Sequence, residues 1–333
     1  MKLNPTELSE LDKAHLTRKT HEKFQNVGVS CSLEDVRGIL DYDPLSFRAL
    51  MDEKGGFGWC TAQAVLKKVK PVLRQTTRDV IRKDHSYVLE GPIDYIDSEN
   101  KTIYYAYAPS GAVQFAKVNL DLDQFNTEVG MRERIGEHEN IIPFLKTFAV
   151  DLQRDGPKRM ANVMIMPFHP RSVKDFQVVA GGKLPNAALA VIARDCYSAL
   201  VHIHSKGLCY GDLKPKNIML SGHEPKAILI DFESVVEFGD TLTRCTRRYS
   251  LDAYDRDASE ETDWTCLGAT LAHLAGIDEM HFYSTKNVKT QVHSSDIEES
   301  IKTVIIACLN DQKSNAVGEA ISKLTDFTDK CEQ

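Results

Sequence analysis

The chain has 333 residues, 42% of them hydrophobic, so it can bury a core and can hold one large domain plus an extension. Its formal net charge of −7, without any run rich in lysine and arginine, argues against a nucleic-acid partner. Its 8 cysteines are scattered with no CxxC pair, which is typical of reduced thiols rather than of a zinc site or a disulfide framework.

The amino terminus and the apolar runs bear on localisation. Residues 1–13 have no apolar core, so no signal peptide is expected. The longest apolar runs fall short of the roughly 20 residues that a membrane helix needs. These features predict a soluble, cytoplasmic protein with no membrane partner.

Residues 1–85 carry helical signals and no catalytic motif. A weak capping box at 32–35 and an Asp-Pro pair at 43–44 each predict a helix start. A further helical run covers 61–69. We expect a helical extension docked on the following domain, and a separate regulatory module with its own partner is the alternative.

The next part of the chain alternates like a small sheet. Strands are predicted near residues 87–89, 102–107, 112–118 and 163–166. The third of these reaches Lys117, and Glu128, eleven residues later, begins a predicted helix. Phe125 and Glu128 are three residues apart, which is about one helical turn.

The most informative feature is a set of four polar residues around a short predicted hairpin. Asp212 could orient the proton of an attacking hydroxyl, and Lys214 could reach a transferred phosphate. Asn217 and Asp231 carry hard oxygen donors of the kind that Mg²⁺ binds. Apolar strands on either side of a turn at 221–225 would place each metal ligand at the inner end of a strand.

These residues resemble the catalytic and metal-binding loops of protein kinases. The strand ending at Lys117 resembles that family's lysine-bearing strand, and Glu128 resembles the glutamate that pairs with the lysine. Further matches in family order are residues 245–249, 263–268 and 308–311. Lys214 and Thr246 indicate the serine/threonine branch.

The resemblance implies an α+β, two-lobed protein-kinase-like fold. A small antiparallel β lobe would span about 86–166 and a larger helical lobe about 167–333, after the helical extension at 1–85. It also implies ATP and Mg²⁺ as cofactors. Asp263 would hold the backbone of the catalytic loop rather than take part in the chemistry.

The resemblance also assigns roles in nucleotide binding. Lys117 would hold the α- and β-phosphates, with Glu128 as its ion-pair partner. At the hinge, the Pro167 carbonyl would accept from adenine and the His169 amide would donate to it. Asn217 and Asp231 would hold the metal.

Two departures from the family concern the nucleotide pocket. When Ile103 is aligned with the valine of the glycine-rich loop, residues 97–101 contain no glycine. Asp97 and Glu99 would repel the phosphates there, and Lys101 would compensate in part. Phe115 replaces a small alanine that usually touches adenine.

Other departures concern regulation. Gly211 stands where an arginine would bind an activation-loop phosphate, and Glu233 replaces the flexible glycine after Asp231-Phe232. Residues 251–253 replace the APE motif, and Asn315 replaces the arginine that pairs with its glutamate. Both members of that buried ion pair are therefore absent together.

The leading hypothesis is an ATP- and Mg²⁺-dependent kinase that phosphorylates serine or threonine of a protein substrate. A pseudokinase acting as a binding module is the first alternative, favoured by the glycine-free loop and Phe115. The second is a small-molecule phosphotransferase of the aminoglycoside or choline kinase type, which Gly211-Asp212 and residues 230–233 resemble. Lys214 and the segment 245–249 favour the protein kinase.

Overall fold

The computed structural model describes residues 21–22, 77–91, 93, 101–152, 160–221, 226–242, 244–254, 256–310 and 314–331. The chain forms two compact units, one of residues 1–122 with 144–167 and one of residues 123–143 with 168–333. The predicted helices at 32–69 and the phosphate loop at 97–100 lie outside the described residues. The predicted roles of the extension and of that loop therefore stay predictions.

The first unit is built on a five-stranded antiparallel sheet. Its strands are β1 (Val88–Glu90), β2 (Lys101–Tyr107), β3 (Val113–Asn119), β4 (Lys146–Asp151) and β5 (Met160–Pro167), in the order β1-β2-β3-β5-β4. Four of them match predicted strands. β4 was not predicted because most of its residues are exposed or half-buried, which leaves little apolar alternation to read.

One face of this sheet packs against helix α1 (residues 77–85), which contributes Val80 and Ile81 to the core. Ala116 and Val118 of β3 are buried in the same core. Because neighbouring side chains of a strand point to opposite faces, Phe115 and Lys117 lie on the other face of the sheet.

The second unit is mainly helical. Its helices are α2 (Leu122–Ile135), α3 (Val173–Val179), α4 (Asn186–His204), α5 (Arg247–Ser250), α6 (Glu260–Leu274), α7 (Thr285–Ser294), α8 (Glu299–Leu309) and α9 (Ser314–Cys331). Short strands β6 (Arg171–Ser172), β8 (Ile218–Leu220) and β9 (Ala227–Leu229) form one antiparallel sheet, and β7 (Leu208–Cys209) pairs with β10 (Val236–Glu237). None of the described helices has the length and apolar character needed to cross a membrane.

Helix α6 is the core of the helical unit. A capping box at Ser259 begins it, and nearly every residue from Thr262 to Leu274 is buried. Gly268 lies where α6 meets Cys308 and Leu309 of α8. This buried helix carries Asp263 in its first turn.

Helix α2 begins earlier than the sequence predicts. It starts at Leu122 rather than at Glu128, after a turn in which the Asp121 amide donates to the Asn119 side chain over 2.8 Å. Its buried face follows helical spacing, with Phe125, Glu128, Arg132 and Ile135. Gly136 ends the helix at φ 77°, a conformation that favours glycine.

Candidate active site

The predicted hairpin is confirmed and positions the two candidate metal ligands. Ile218 of β8 pairs with Leu229 of β9, and the Ile230 amide donates to the Asn217 carbonyl over 3.0 Å. Asn217 lies in a 3₁₀ turn (Pro215–Asn217) directly before β8, and Asp231 follows β9 after one residue. The two ligands therefore come from neighbouring strand ends.

Asp212, Lys214 and Thr246 form one connected polar group. The Lys214 Nζ atom lies 2.5 Å from Asp212 Oδ2 and 2.9 Å from the Thr246 hydroxyl. The Thr246 amide donates to Asp212 Oδ1 over 2.8 Å. The Asp212 carboxylate is thus held at both oxygens, and the segment around Thr246 is fixed beside it.

Asn217 is oriented by Asp212. Its Nδ2 atom donates to the Asp212 carbonyl over 2.9 Å and to Asp212 Oδ2 over 3.2 Å. The amide nitrogen is therefore engaged, and the Oδ1 atom is the side of Asn217 that can accept from or bind another group. An oriented amide oxygen and the carboxylate of Asp231 are the donor types that Mg²⁺ prefers, so the residues fit a magnesium ion.

Asp263 of α6 holds the backbone just before Asp212, the contact that the kinase resemblance predicts. Its carboxylate accepts from the amides of Tyr210 (2.7 Å) and Gly211 (2.8 Å) and from His204 Nε2 (2.8 Å). These three contacts are all with protein groups, and the residue is fully buried. Asp263 therefore positions Asp212 from a distance.

Tyr210 and Gly211, the two residues before Asp212, are both in close contact with neighbouring segments. The Tyr210 ring packs edge-on against Phe232 with 5.5 Å between centroids, and its hydroxyl donates to the Ile230 carbonyl. Gly211 has φ 80°, and a Cβ atom there would lie 2.8 Å from Leu242 and 2.9 Å from the Ser234 carbonyl. The backbone thus excludes a side chain at residue 211.

The carboxylates of Glu128 and Glu233 lie close to that of Asp231. Oxygen atoms of Glu128, Asp231 and Glu233 all lie within 4.8 Å of one another. Asp231 itself has φ 61°, a left-handed conformation that few residues other than glycine, asparagine and aspartate adopt. Arg244 lies 3.4 Å from Glu233 and supplies one countercharge.

Arg132 supplies a second, buried countercharge to this cluster. Its Nη1 atom is 3.9 Å from Glu128 Oε1, and its guanidinium lies over the Phe232 ring at 5.0 Å. Burial lowers the pKa of Arg132, while Glu128 and Asp231 act in the opposite direction. Sequence reasoning missed Arg132, although its position four residues after Glu128 places both on one helix face.

The remaining candidate residues are described within their own units. In the sheet unit, Lys117 is paired opposite Ile103 and Met164 and is only 5% exposed, while Pro167 ends β5 opposite Gln114. In the helical unit, His169 is half-buried, and burial lowers its pKa. The ion pair between Lys117 and Glu128 and the adenine contacts stay predictions.

A contact that the sequence did not reveal joins the segment after Thr246 to the loop after α6. Tyr249 donates to Glu279 over 2.7 Å, and Arg248 forms an ion pair with the same carboxylate. In the segment 251–253, which replaces the APE motif, Ala253 is buried. Asn315, which replaces the arginine of that ion pair, is exposed. Glu279 thus anchors this segment from a position that no local motif marks.

Comparison with known proteins agrees with this geometry. The family model described as "Protein kinase domain" matches residues 112–333. The rat serine/threonine-protein kinase Kist is 23% identical over 191 residues, which cover 54% of this chain and 44% of Kist. The mouse serine/threonine-protein kinase Sgk1 is 39% identical over 95 residues, covering 25% of this chain and 20% of Sgk1.

A shorter match is to the rice serine/threonine-protein kinase/endoribonuclease IRE1, 34% identical over 61 residues, covering 18% of this chain and 7% of that protein. The chain spans less than half the length of these relatives. Protein kinase domains in general use ATP and a divalent metal and act on protein substrates. The family model covers most of the chain and includes the site just described. The chain therefore belongs to the protein kinase domain family.

Proposed function

We propose that this chain is an ATP- and Mg²⁺-dependent protein kinase that phosphorylates serine or threonine. The observation that supports this most is Lys214, whose ammonium group joins the Asp212 carboxylate to the Thr246 hydroxyl. The same contacts hold Asp212 as the base, Lys214 as the cation directed at the phosphate, and the segment around Thr246 in one arrangement. Phosphoryl transfer depends chiefly on such positioning and on electrostatic stabilisation.

In this proposal Asp212 accepts a hydrogen bond from the substrate hydroxyl and directs it toward the phosphate. The Lys214 ammonium lies beside Asp212, where the hydroxyl is to attack. From there its positive charge balances the negative charge that develops on the transferred group. Asp263 keeps the loop from moving away during the step, since it binds the amides of Tyr210 and Gly211.

Asn217 and Asp231 would hold Mg²⁺, which when bound supplies positive charge to the phosphates. Lys117 would bind the α- and β-phosphates and Glu128 would hold that lysine in place. The Pro167 carbonyl and the His169 amide would bind adenine. The same proposal includes a regulatory protein that binds residues 1–85.

Phe115 supports a second candidate, a kinase fold that binds without turnover. Its ring is half-buried on the same face of β3 as Lys117, 5.9 Å from the Tyr105 ring. A bulky ring at this position would narrow an adenine site on that face. A pseudokinase would then bind nucleotide weakly or not at all.

Phosphotransfer with labelled ATP, measured as autophosphorylation and on serine- and threonine-containing peptides, separates these candidates. We expect Mg²⁺-dependent transfer by the wild type and its loss in Asp212→Asn. Asp240→Asn is the matched control, because Asp240 is exposed and carries the same change. Nucleotide-induced thermal stabilisation without any transfer would support the pseudokinase, and transfer only to aminoglycosides or choline would contradict both candidates.

A further inference from the structure

Two histidines from distant parts of the chain meet inside the helical unit. His138 lies in the loop after α2 (residues 136–145), and His202 lies in the last turn of α4. Their ring centroids are 4.9 Å apart, and both residues are half-buried. Because water screens groups at this depth only in part, a charge on one ring makes a charge on the other less favourable.

Hydrogen bonds fix which nitrogens of the two rings carry protons. The Asn140 amide donates to His138 Nδ1 over 3.1 Å, so this nitrogen is unprotonated, and Nε2 faces the Ser198 hydroxyl at 3.3 Å. His202 Nε2 lies 2.8 Å from the Ile135 carbonyl, which only accepts, so this nitrogen carries a proton. A second proton on His138 must therefore break its bond with Asn140, whereas His202 keeps its bond to Ile135 in either state.

The same loop is fastened to the hairpin of β8 and β9. Asn140 donates its side-chain nitrogen to the Ala227 carbonyl over 3.0 Å, and its own carbonyl accepts from the Leu229 amide over 2.8 Å. Ile141 forms a parallel bridge with Leu229, which lies two residues before Asp231. Loosening of the loop therefore reaches the strand that positions Asp231.

Charged groups of both signs surround His138. Those described at the end of α2, on the loop itself, on α4 and directly before β9 are Arg134, Glu137, Glu139, Arg194, Asp195, His202 and Lys226. Burial is the largest cause that lowers the pKa of His138, followed by the charge of His202; Lys226 acts in the same direction, and Glu139 opposes it. Below about pH 6.5 the ring therefore takes up a proton more readily in water than in its place beside His202.

We propose that His138 is a pH-sensitive latch, whose neutral ring holds the loop after α2 against α4 and whose protonation releases the loop. Protonation acts in two ways, because the charged ring loses the bond from the Asn140 amide and also faces His202. Release loosens the pairing of the loop with β9 and so lowers phosphoryl transfer at acidic pH. The effect on transfer rests on the proposed function, whereas the release of the loop does not.

The test follows hydrogen–deuterium exchange of residues 138–142 and 227–229 at pH 7.5 and pH 5.5, without nucleotide. Protection factors are compared, since they remove the pH dependence of the chemical exchange step itself. His138→Gln is the test variant, because its amide oxygen can accept from Asn140 and does not titrate. His293→Gln is the matched control, since His293 is exposed on α7. Helix α6 serves as the internal reference for global unfolding.

We expect wild-type protection in these two segments to fall by about threefold or more at pH 5.5, while that of α6 changes less. His293→Gln should follow the wild type, and His138→Gln should keep its protection. Equal losses in the wild type and His138→Gln, or an equal loss in α6, would overturn the latch. If His138→Gln does not fold, an NMR titration of the wild-type His138 ring decides, because its midpoint must coincide with that of the loss of protection.

The latch and the proposed function fail separately. Transfer is measured at the same two pH values, and the kcat of His138→Gln relative to the wild type should rise about twofold or more at pH 5.5. A constant ratio would overturn the link between the loop and phosphoryl transfer. If the wild type transfers no phosphate at either pH, the proposed function fails, while the protection factors still decide whether His138 releases the loop.

Discussion

At the scale of single residues, the site depends on groups that are held by more than one partner. Lys214 contacts both Asp212 and Thr246, and Asn217 uses its amide nitrogen on Asp212. Such residues act together, so removing one displaces the others. Lys214 is the best single position at which to test this, because exposed Lys216, two residues away, offers a control with the same side chain.

We therefore expect Lys214→Met to lower kcat about 100-fold, the range seen when one preorganised electrostatic group is removed. Asp212 would lose its cation and the Thr246 hydroxyl its donor. Lys216→Met should stay within about threefold of the wild type, since Lys216 is exposed. Steady-state kinetics of both variants, with melting temperatures as a check on folding, decide the matter; equal losses in the two would argue against a special role for Lys214.

At the scale of secondary-structure elements, two glycines inside helices have opposite meanings. A Cβ atom on Gly130 of α2 would meet nothing within 4 Å. One on Gly268 of α6 would lie 2.8 Å from Leu309 Cγ and 2.9 Å from Cys308 Cβ. Gly130 therefore only weakens its helix, whereas Gly268 permits close approach of α6 and α8.

This contrast predicts opposite effects of the same substitution on the free energy of unfolding. Gly130→Ala should stabilise by about 0.5–1 kcal/mol through helix propensity. Gly268→Ala should destabilise by about 1–3 kcal/mol, because the contact with α8 must open. Urea unfolding followed by circular dichroism measures both, and stabilisation by Gly268→Ala would show that this contact is looser than described.

The segment after β10 shows a second effect at this scale. Gly211 leaves no room for a side chain that could bind a phosphate. The arginines around Thr246 already have contacts: Arg244 with Glu233, Arg247 with the Tyr254 ring and Arg248 with Glu279. The segment is thus held in place by contacts other than a phosphate.

Phosphatase-treated protein should therefore keep the activity of untreated protein within about twofold. No arginine beside Asp212 can order the segment through a phosphate on Thr241 or Thr246, so the modification has little to stabilise. Activity before and after treatment, with phosphate content checked by mass spectrometry, tests this. A large loss of activity would point to Arg247 or Arg248 as a phosphate-binding residue.

At the scale of the whole molecule, the burial of several histidines contributes to how stability depends on pH. Burial is the largest cause that lowers the pKa of His85, His138, His169 and His273. His273 shows the balance, because Glu279 at 3.5 Å opposes the effect of burial, and Lys174 adds to it. Each of these histidines binds protons more readily in the unfolded chain, where its pKa is about 6.5.

Stability should accordingly be highest above about pH 6.5 and fall as the pH is lowered, because protonation then favours the unfolded state. Melting temperatures between pH 7.5 and 5.5 measure this slope. His273→Gln should flatten the slope, and His293→Gln should leave it unchanged, since His293 is exposed on α7. Parallel slopes in the wild type and His273→Gln would contradict a contribution from His273.

The parts of the site that could be predicted are those set by short spacing along the chain. The hairpin that carries Asn217 and Asp231 was predicted, and the structure confirms it. It depends on residues within about 20 positions, so the strand pattern and the turn constrain it directly. The role of Asp263 was predicted from the family resemblance alone.

The parts that could not be predicted depend on contacts between distant segments. Glu279 binds a segment about 30 residues earlier in the chain, and Arg132 meets Phe232 across 100 residues. An arginine on a helix face and a glutamate in a loop are most often solvated, so neither residue type marks a site by itself. The start of α2 at Leu122 was missed although Asp121, directly before it, is a residue type that often begins helices.

By itself the sequence determined the family resemblance, four strands of the first sheet and the hairpin that carries Asn217 and Asp231. Apolar periodicity and the spacing of a few polar residues are enough for these elements, because each depends on neighbours along the chain. Only the tertiary structure decided which charges share a buried space, where Arg132 faces Glu128, Asp231 and Glu233, and why residue 211 must be glycine. The physical reason is that burial and electrostatic pairing depend on distances across the folded chain, which local pattern does not specify.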